Sequence, residues 1–98
     1  MTVKRTKHSV YNLNYHIVLV TKYRHEVLKN AVETFVLERT REICTRYGWE
    51  ILEIEIMPDH LHLFVSAAPK IAPLQIASTL KSILTVDTFR QFPRLKFV

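Results

Sequence analysis

The sequence is poor in several things, and each shortage excludes something. It has one cysteine, Cys44, which can make neither an internal disulfide nor a cysteine-rich zinc site. Cys44 falls within a helical pattern, so a buried thiol in a reducing cytoplasm is expected. No apolar run approaches the roughly 20 residues of a membrane span. Met1 to His8 is basic and polar with no apolar segment behind it, which argues against a secretory signal. There is no internal repeat, low-complexity tract or linker, and the only glycine is Gly48.

What remains is 98 residues, 48% of them hydrophobic. That is enough for one packed domain and too apolar for disorder. The formal net charge of +5 favours a polyanionic partner, although many small basic domains bind none.

The periodicity predicts five elements. Val10 to Val20 reads as a strand in which Leu13, Tyr15, Ile17 and Leu19 alternate with Asn12, Asn14, His16 and Val18. The basic stretch Lys22-Tyr23-Arg24-His25 follows. Asn30 to Tyr47 reads as a helix, with Leu28, Val32, Phe35, Val36, Ile43 and Tyr47 at helical spacing. Asn30 is expected to cap its start and Gly48 its end. Glu50 to Ile56 reads as a second strand, with Leu52, Ile54 and Ile56 on one face. Met57-Pro58-Asp59 is a turn, in which the Asp59 side chain is expected to bond back to the backbone. His60 to Ser66 is a third strand, forming a hairpin with the second. Pro73 opens a second helix carrying Ile76, Leu80, Ile83 and Leu84, and Pro93 ends it.

The order β-α-β-β-α is most of a ferredoxin-like, α+β fold, with an antiparallel sheet and helices on one face. Its final strand is expected to be missing or reduced to the last few residues. Strands one and three are then central neighbours, and the outer edge of strand one carries unpaired backbone groups. That edge predicts marginal stability, dimerisation or other self-association.

One motif carries chemistry. Side chains two apart on a strand point the same way, so His60, His62 and Phe64 share a face opposite Leu61, Leu63 and Val65. The apolar set suits the helices, which leaves both imidazoles on the open face, roughly 6.5–7 Å apart along the strand. Two imidazoles can lean across that gap to one metal ion. The same pair also suits two solvent-facing polar residues that bind nothing. As a metal site it is incomplete, since a catalytic site takes about three protein ligands, and Phe64 rules out a third histidine in the series.

Several blocks resemble one family. His8-Ser9-Val10-Tyr11 with Asn14-Tyr15-His16-Ile17-Val18-Leu19-Val20-Thr21-Lys22-Tyr23-Arg24, and Met57-Pro58-Asp59-His60-Leu61-His62-Leu63-Phe64-Val65, look like the small single-tyrosine HUH transposases of TnpA type. Arg41 to Cys44 and Gly48 to Glu50 fit between them, so the resemblance spans His8 to Phe92. It implies that His60 and His62 hold magnesium or manganese against a scissile phosphate. It also implies that a tyrosine cuts and rejoins single-stranded DNA through a phosphotyrosine at the ends of an insertion sequence, with no nucleotide cofactor. Dimers and recognition of hairpin DNA are further implications.

In the family the tyrosine and a third metal ligand lie on a helix beyond the last strand, and neither carries over to a position before Val98. Tyr11, Tyr15, Tyr23 and Tyr47 are expected to be structural, so no catalytic residue is assigned and this chain alone is not expected to cleave DNA. Among the basic residues Lys7, Lys22 and Arg24 are the candidate DNA contacts, while Arg39, Arg41 and Arg46 read as a solvated surface. A second reading is a non-catalytic DNA-binding or regulatory remnant of such a transposase. A third is an interaction domain whose histidines bind nothing.

Overall fold

The computed structural model describes residues 12–97. Strand β1 (Leu13–Val20) leads through a short 3-10 turn at Lys22–Arg24 to helix α1 (Asn30–Tyr47). Strands β2 (Glu50–Met57) and β3 (His60–Ala67) form a hairpin, followed by helix α2 (Pro73–Gln91) and a 3-10 turn at Pro93–Phe97. The sheet order is β1-β3-β2, and both pairings are antiparallel. This is the expected α+β arrangement. Val10, read as the start of strand one, lies outside the described residues.

Alternation along β3 divides the two faces. Leu61, Leu63 and Val65 are at most 2% exposed. They pack with Ile17 of β1, Val36, Ile43 and Cys44 of α1, and Ile76 and Leu80 of α2. Two helices thus cover one face of the sheet, and among the described residues none covers the other. Burial pushes the Cys44 thiol up to about 11, because a thiolate loses its hydration there. Arg39, expected on a solvated surface, instead joins the helices: its Nε donates to Asp87 at 2.8 Å and its Nη1 to Glu42 at 2.7 Å.

The helix ends follow local chemistry only in part. Gly48 closes α1 at φ 75°, and its N–H reaches back to the last turn, as a residue without Cβ allows. Asn30 does not cap the start. It is the first helical residue, the cap position is Lys29, and no side chain caps the helix. Tyr47 is not on the core side: it is 47% exposed and stacks on Trp49 with centroids 4.9 Å apart. At α2, Pro73 is the first helical residue and Gln75 Oε1 accepts the Ala72 N–H at 2.7 Å.

Strand β2 departs from simple alternation. Ile51 pairs with Val65 and Glu53 with Phe64, leaving Leu52 as an extra residue in a bulge. The bulge reverses the face, so Ile51 joins Ile54 and Ile56 against the core while Leu52 stands 43% exposed. Among the described residues β1 pairs only with β3. Beside its outer edge lies a groove of about 620 Å³ lined by Leu19, Leu28, Val36, Leu61, Leu84 and Phe89, among others.

Candidate metal centre

The hairpin turn between β2 and β3 is two residues long, since Met57 pairs with His60. Its carbonyls anchor the segment after β1: the Thr21 N–H donates to Asp59 O at 3.0 Å and the Leu28 N–H to Pro58 O at 2.9 Å. The Asp59 side chain does not bond back to the backbone as a turn former. One carboxylate oxygen accepts the His60 Nδ1–H at 2.8 Å. The other accepts Arg24 Nε at 3.0 Å and faces Arg24 Nη2 at 2.9 Å. The hydrogen bond from His60, with the Arg24 charge beside it, holds the Asp59 carboxyl below the ordinary carboxylate value. A carboxylate can only accept, so the proton of a neutral His60 sits on Nδ1 and the Nε2 lone pair stays free.

His62 is held differently. Its Nε2 lies 3.2 Å from Nδ1 of His16 on β1, with ring centroids 5.2 Å apart. His16 in turn stacks on Phe64, with centroids 4.4 Å apart and planes 19° from parallel. The register explains this meeting: Val18 opposes His62 and His16 opposes Phe64, so His16 is the diagonal neighbour of His62. Glu55 of β2 is directly opposite His62 on the other side.

The two sequence-predicted histidines therefore share the helix-free face, each tied to one partner. Arg24 and Lys22 lie in the 3-10 turn against the hairpin, and Lys7 lies outside the described residues. His16 and Glu55 were not singled out from the sequence. Their strand parity was legible, but their proximity to His62 depends on register, which one strand read alone does not give.

The donor set fits a divalent cation as part of a site. His60 Nε2 is a neutral lone pair whose ring is already oriented by a carboxylate, the usual outer arrangement of a metal-binding histidine. Among the described residues no three histidine, cysteine or carboxylate groups converge at metal-site spacing. An ion drawing on His62 Nε2 must displace His16, whereas one drawing on Nδ1 leaves that bond in place. Of the described tyrosines, Tyr15 donates to the Ile71 carbonyl at 3.1 Å, Tyr47 lies on Trp49, and Tyr23 is 78% exposed. No helix of the described residues is long and apolar enough to cross a membrane.

The chain is similar to known proteins. A family model for IS200-like transposases matches residues 9–97. The chain is 35% identical over 96 residues to the ISDra2 transposase TnpA of Deinococcus radiodurans, covering 98% of this chain and 69% of that protein. It is 31% identical over 94 residues to the transposase for insertion sequence element IS200 of Salmonella typhimurium, covering 96% of this chain and 62% of that one. A crystal structure of a transposase from Deinococcus radiodurans superposes with a TM-score of 0.84 at 37% identity, covering 88% of this chain and 66% of the other. The chain thus spans roughly two thirds of the length of these relatives.

Proposed function

The chain belongs to the IS200-like transposase family, and from that premise we propose that it handles single-stranded DNA through a divalent metal held at His60 and His62. The observation that carries the proposal is the Arg24–Asp59–His60 chain of contacts, 2.9 Å and 2.8 Å long. It fixes the tautomer and the ring of one histidine on a face that neither described helix covers. A structural histidine on a solvent face has no need of a carboxylate behind it.

Bound magnesium or manganese supplies Lewis-acid polarisation of a phosphate oxygen. The rest is the work of side chains. Asp59 keeps the His60 Nε2 lone pair aimed outward, and the His16–Phe64 stack limits the swing of His62. Lys22 and Arg24 give positive potential beside the site, where a phosphodiester backbone is attracted in a salt-dependent way. Lys7 belongs to the same basic set in the sequence. Homodimerisation, through the outer edge of β1, which has no partner strand among the described residues, and its apolar groove, is part of the proposal, and sedimentation across a range of concentrations tests it. A single monomeric species throughout opposes it.

The metal claim is tested by titrating manganese into the protein and following the histidine ring signals by NMR. His60 and His62 broaden first. Equal broadening of His25, or none at all, removes the site. Strand cleavage is a separate matter. Incubation with hairpin DNA carrying single-stranded flanks and manganese, then denaturing electrophoresis, distinguishes the two activities. A covalent protein–DNA adduct marks a cleaving enzyme; binding without adduct marks a DNA-binding module.

A further inference from the structure

The turn after β1 contains a feature that metal binding does not use. Tyr23 has φ 55° and ψ 21°, and Arg24 also has φ 55°. Two successive residues with Cβ atoms in the left-handed region are costly, and such strain persists only where the surroundings enforce it. Here they do. The Arg24 N–H donates to Thr21 O at 2.9 Å and the His25 N–H to Lys22 O at 3.2 Å. The Thr21 hydroxyl closes the turn on His25 O at 2.6 Å, and the Thr21 N–H ties it to Asp59 O.

The product of this strain is an aromatic ring held outward at 78% exposure. Lys22 Nζ lies 5.2 Å from the ring centroid, within cation–π range. The His25 ring sits 5.9 Å away, tilted by 51°. Neither closes off the ring, and an exposed tyrosine in a rigid basic turn is otherwise a loss of apolar burial. The next residue, Arg24, grips Asp59, which holds His60. The ring is therefore fixed relative to the metal-binding strand by a short series of contacts.

We infer that Tyr23 is a stacking platform for one nucleobase of single-stranded DNA, flanking the phosphate at the histidines. Every base presents a π-face, so such a platform adds affinity without reading sequence. Lys22 and Arg24 beside it meet the adjoining backbone phosphates. The tyrosine hydroxyl has no part in this. The inference rests on the proposed single-stranded DNA reading and assigns a residue to it.

The test measures binding of the full chain, without metal, to a hairpin oligonucleotide with a single-stranded tail. Single 2-aminopurine substitutions are walked along that tail. Tyr23→Ala weakens binding roughly tenfold and relieves the quenching of 2-aminopurine at one position. Tyr23→Phe and Tyr23→Trp keep both. Tyr23→Gly, which suits the positive φ and so does not harm the turn, behaves as Tyr23→Ala. The slope of affinity against salt is unchanged in all four, because stacking neutralises no phosphate. The inference is overturned if Tyr23→Ala binds and quenches like the wild type, or if Tyr23→Phe loses as much as Tyr23→Ala, which puts the function in the hydroxyl. In both cases the DNA-binding reading stands. A wild-type chain that binds no single-stranded DNA overturns that reading and this inference together.

Discussion

The two faces of β3 carry different burdens. Leu61, Leu63 and Val65 are sealed under both helices, while His60, His62 and Phe64 stay partly exposed on the other side of the same strand. The covered face holds the fold through apolar burial. The open face holds hydrogen-bonded imidazoles whose contacts are few and directional. A strand in the middle of a one-sided sheet thus places the imidazoles on a rigid support without asking them to stabilise it.

Paired substitutions break this comparison if it is wrong. Leu63→Ala removes a fully buried side chain and is expected to cost about 2–5 kcal/mol in denaturant unfolding, with little direct effect on metal chemistry. His62→Ala is expected to cost under about 1 kcal/mol and to abolish the manganese response. A large stability loss for His62→Ala places the open face in the structural frame instead.

The next effect sharpens the claim about Asp59. Asp59→Asn keeps the shape but replaces the carboxylate behind His60, and manganese affinity is expected to fall by roughly 10- to 100-fold. Equal affinity in the variant makes the contact a turn device only. Replacing Lys22 and Arg24 together with Ala is expected to weaken single-stranded DNA binding and flatten its logarithmic salt slope by about 1.4, at roughly 0.7 per lost phosphate contact. An unchanged slope removes both from the DNA path.

Two smaller effects probe the covered face. The Thr40 hydroxyl is fully buried and has no hydrogen-bond partner among the described residues. Thr40→Val is expected to raise stability by about 1 kcal/mol, read as a higher denaturation midpoint; a fall reveals a hidden partner. Cys44 binds its proton more tightly folded than unfolded, because burial raises its pKa to about 11 from the ordinary 9.0. Its contribution is fully present below pH 9 and lost as pH rises towards 11. Native protein at pH 8 is therefore expected to react slowly with thiol reagents, and rapid labelling at the unfolded rate contradicts the burial.

The elements with unbroken patterns were legible in the sequence. Helix α1 had the same bounds in both, and β3 alternates from His60 to Val65 with its histidines outward. Leu52 was assigned to the wrong face because a bulge belongs to a strand pair and leaves no mark in one strand's period. Tyr47 fell on the helical stripe, yet it is the last residue of the helix, a turn beyond the buried Ile43 and Cys44, and its ring lies on Trp49. Asn30 had the right chemistry for a cap, but it is the first helical residue and Lys29 takes the cap position. Asp59 suited a turn by type, and only the approach of Arg24 from a segment 35 residues away drew its carboxylate outward.

The sequence by itself determined the order of elements, the division of β3 into apolar and imidazole faces, and the His60–His62 pair. All of these follow from local period and residue type. Tertiary structure alone decided that His60 has a carboxylate and an arginine behind it, and that His62 meets His16. It also decided that Tyr23 is held outward in a strained turn. These depend on strand register and on the docking of the post-β1 segment against the hairpin, which bring together residues that no local pattern relates.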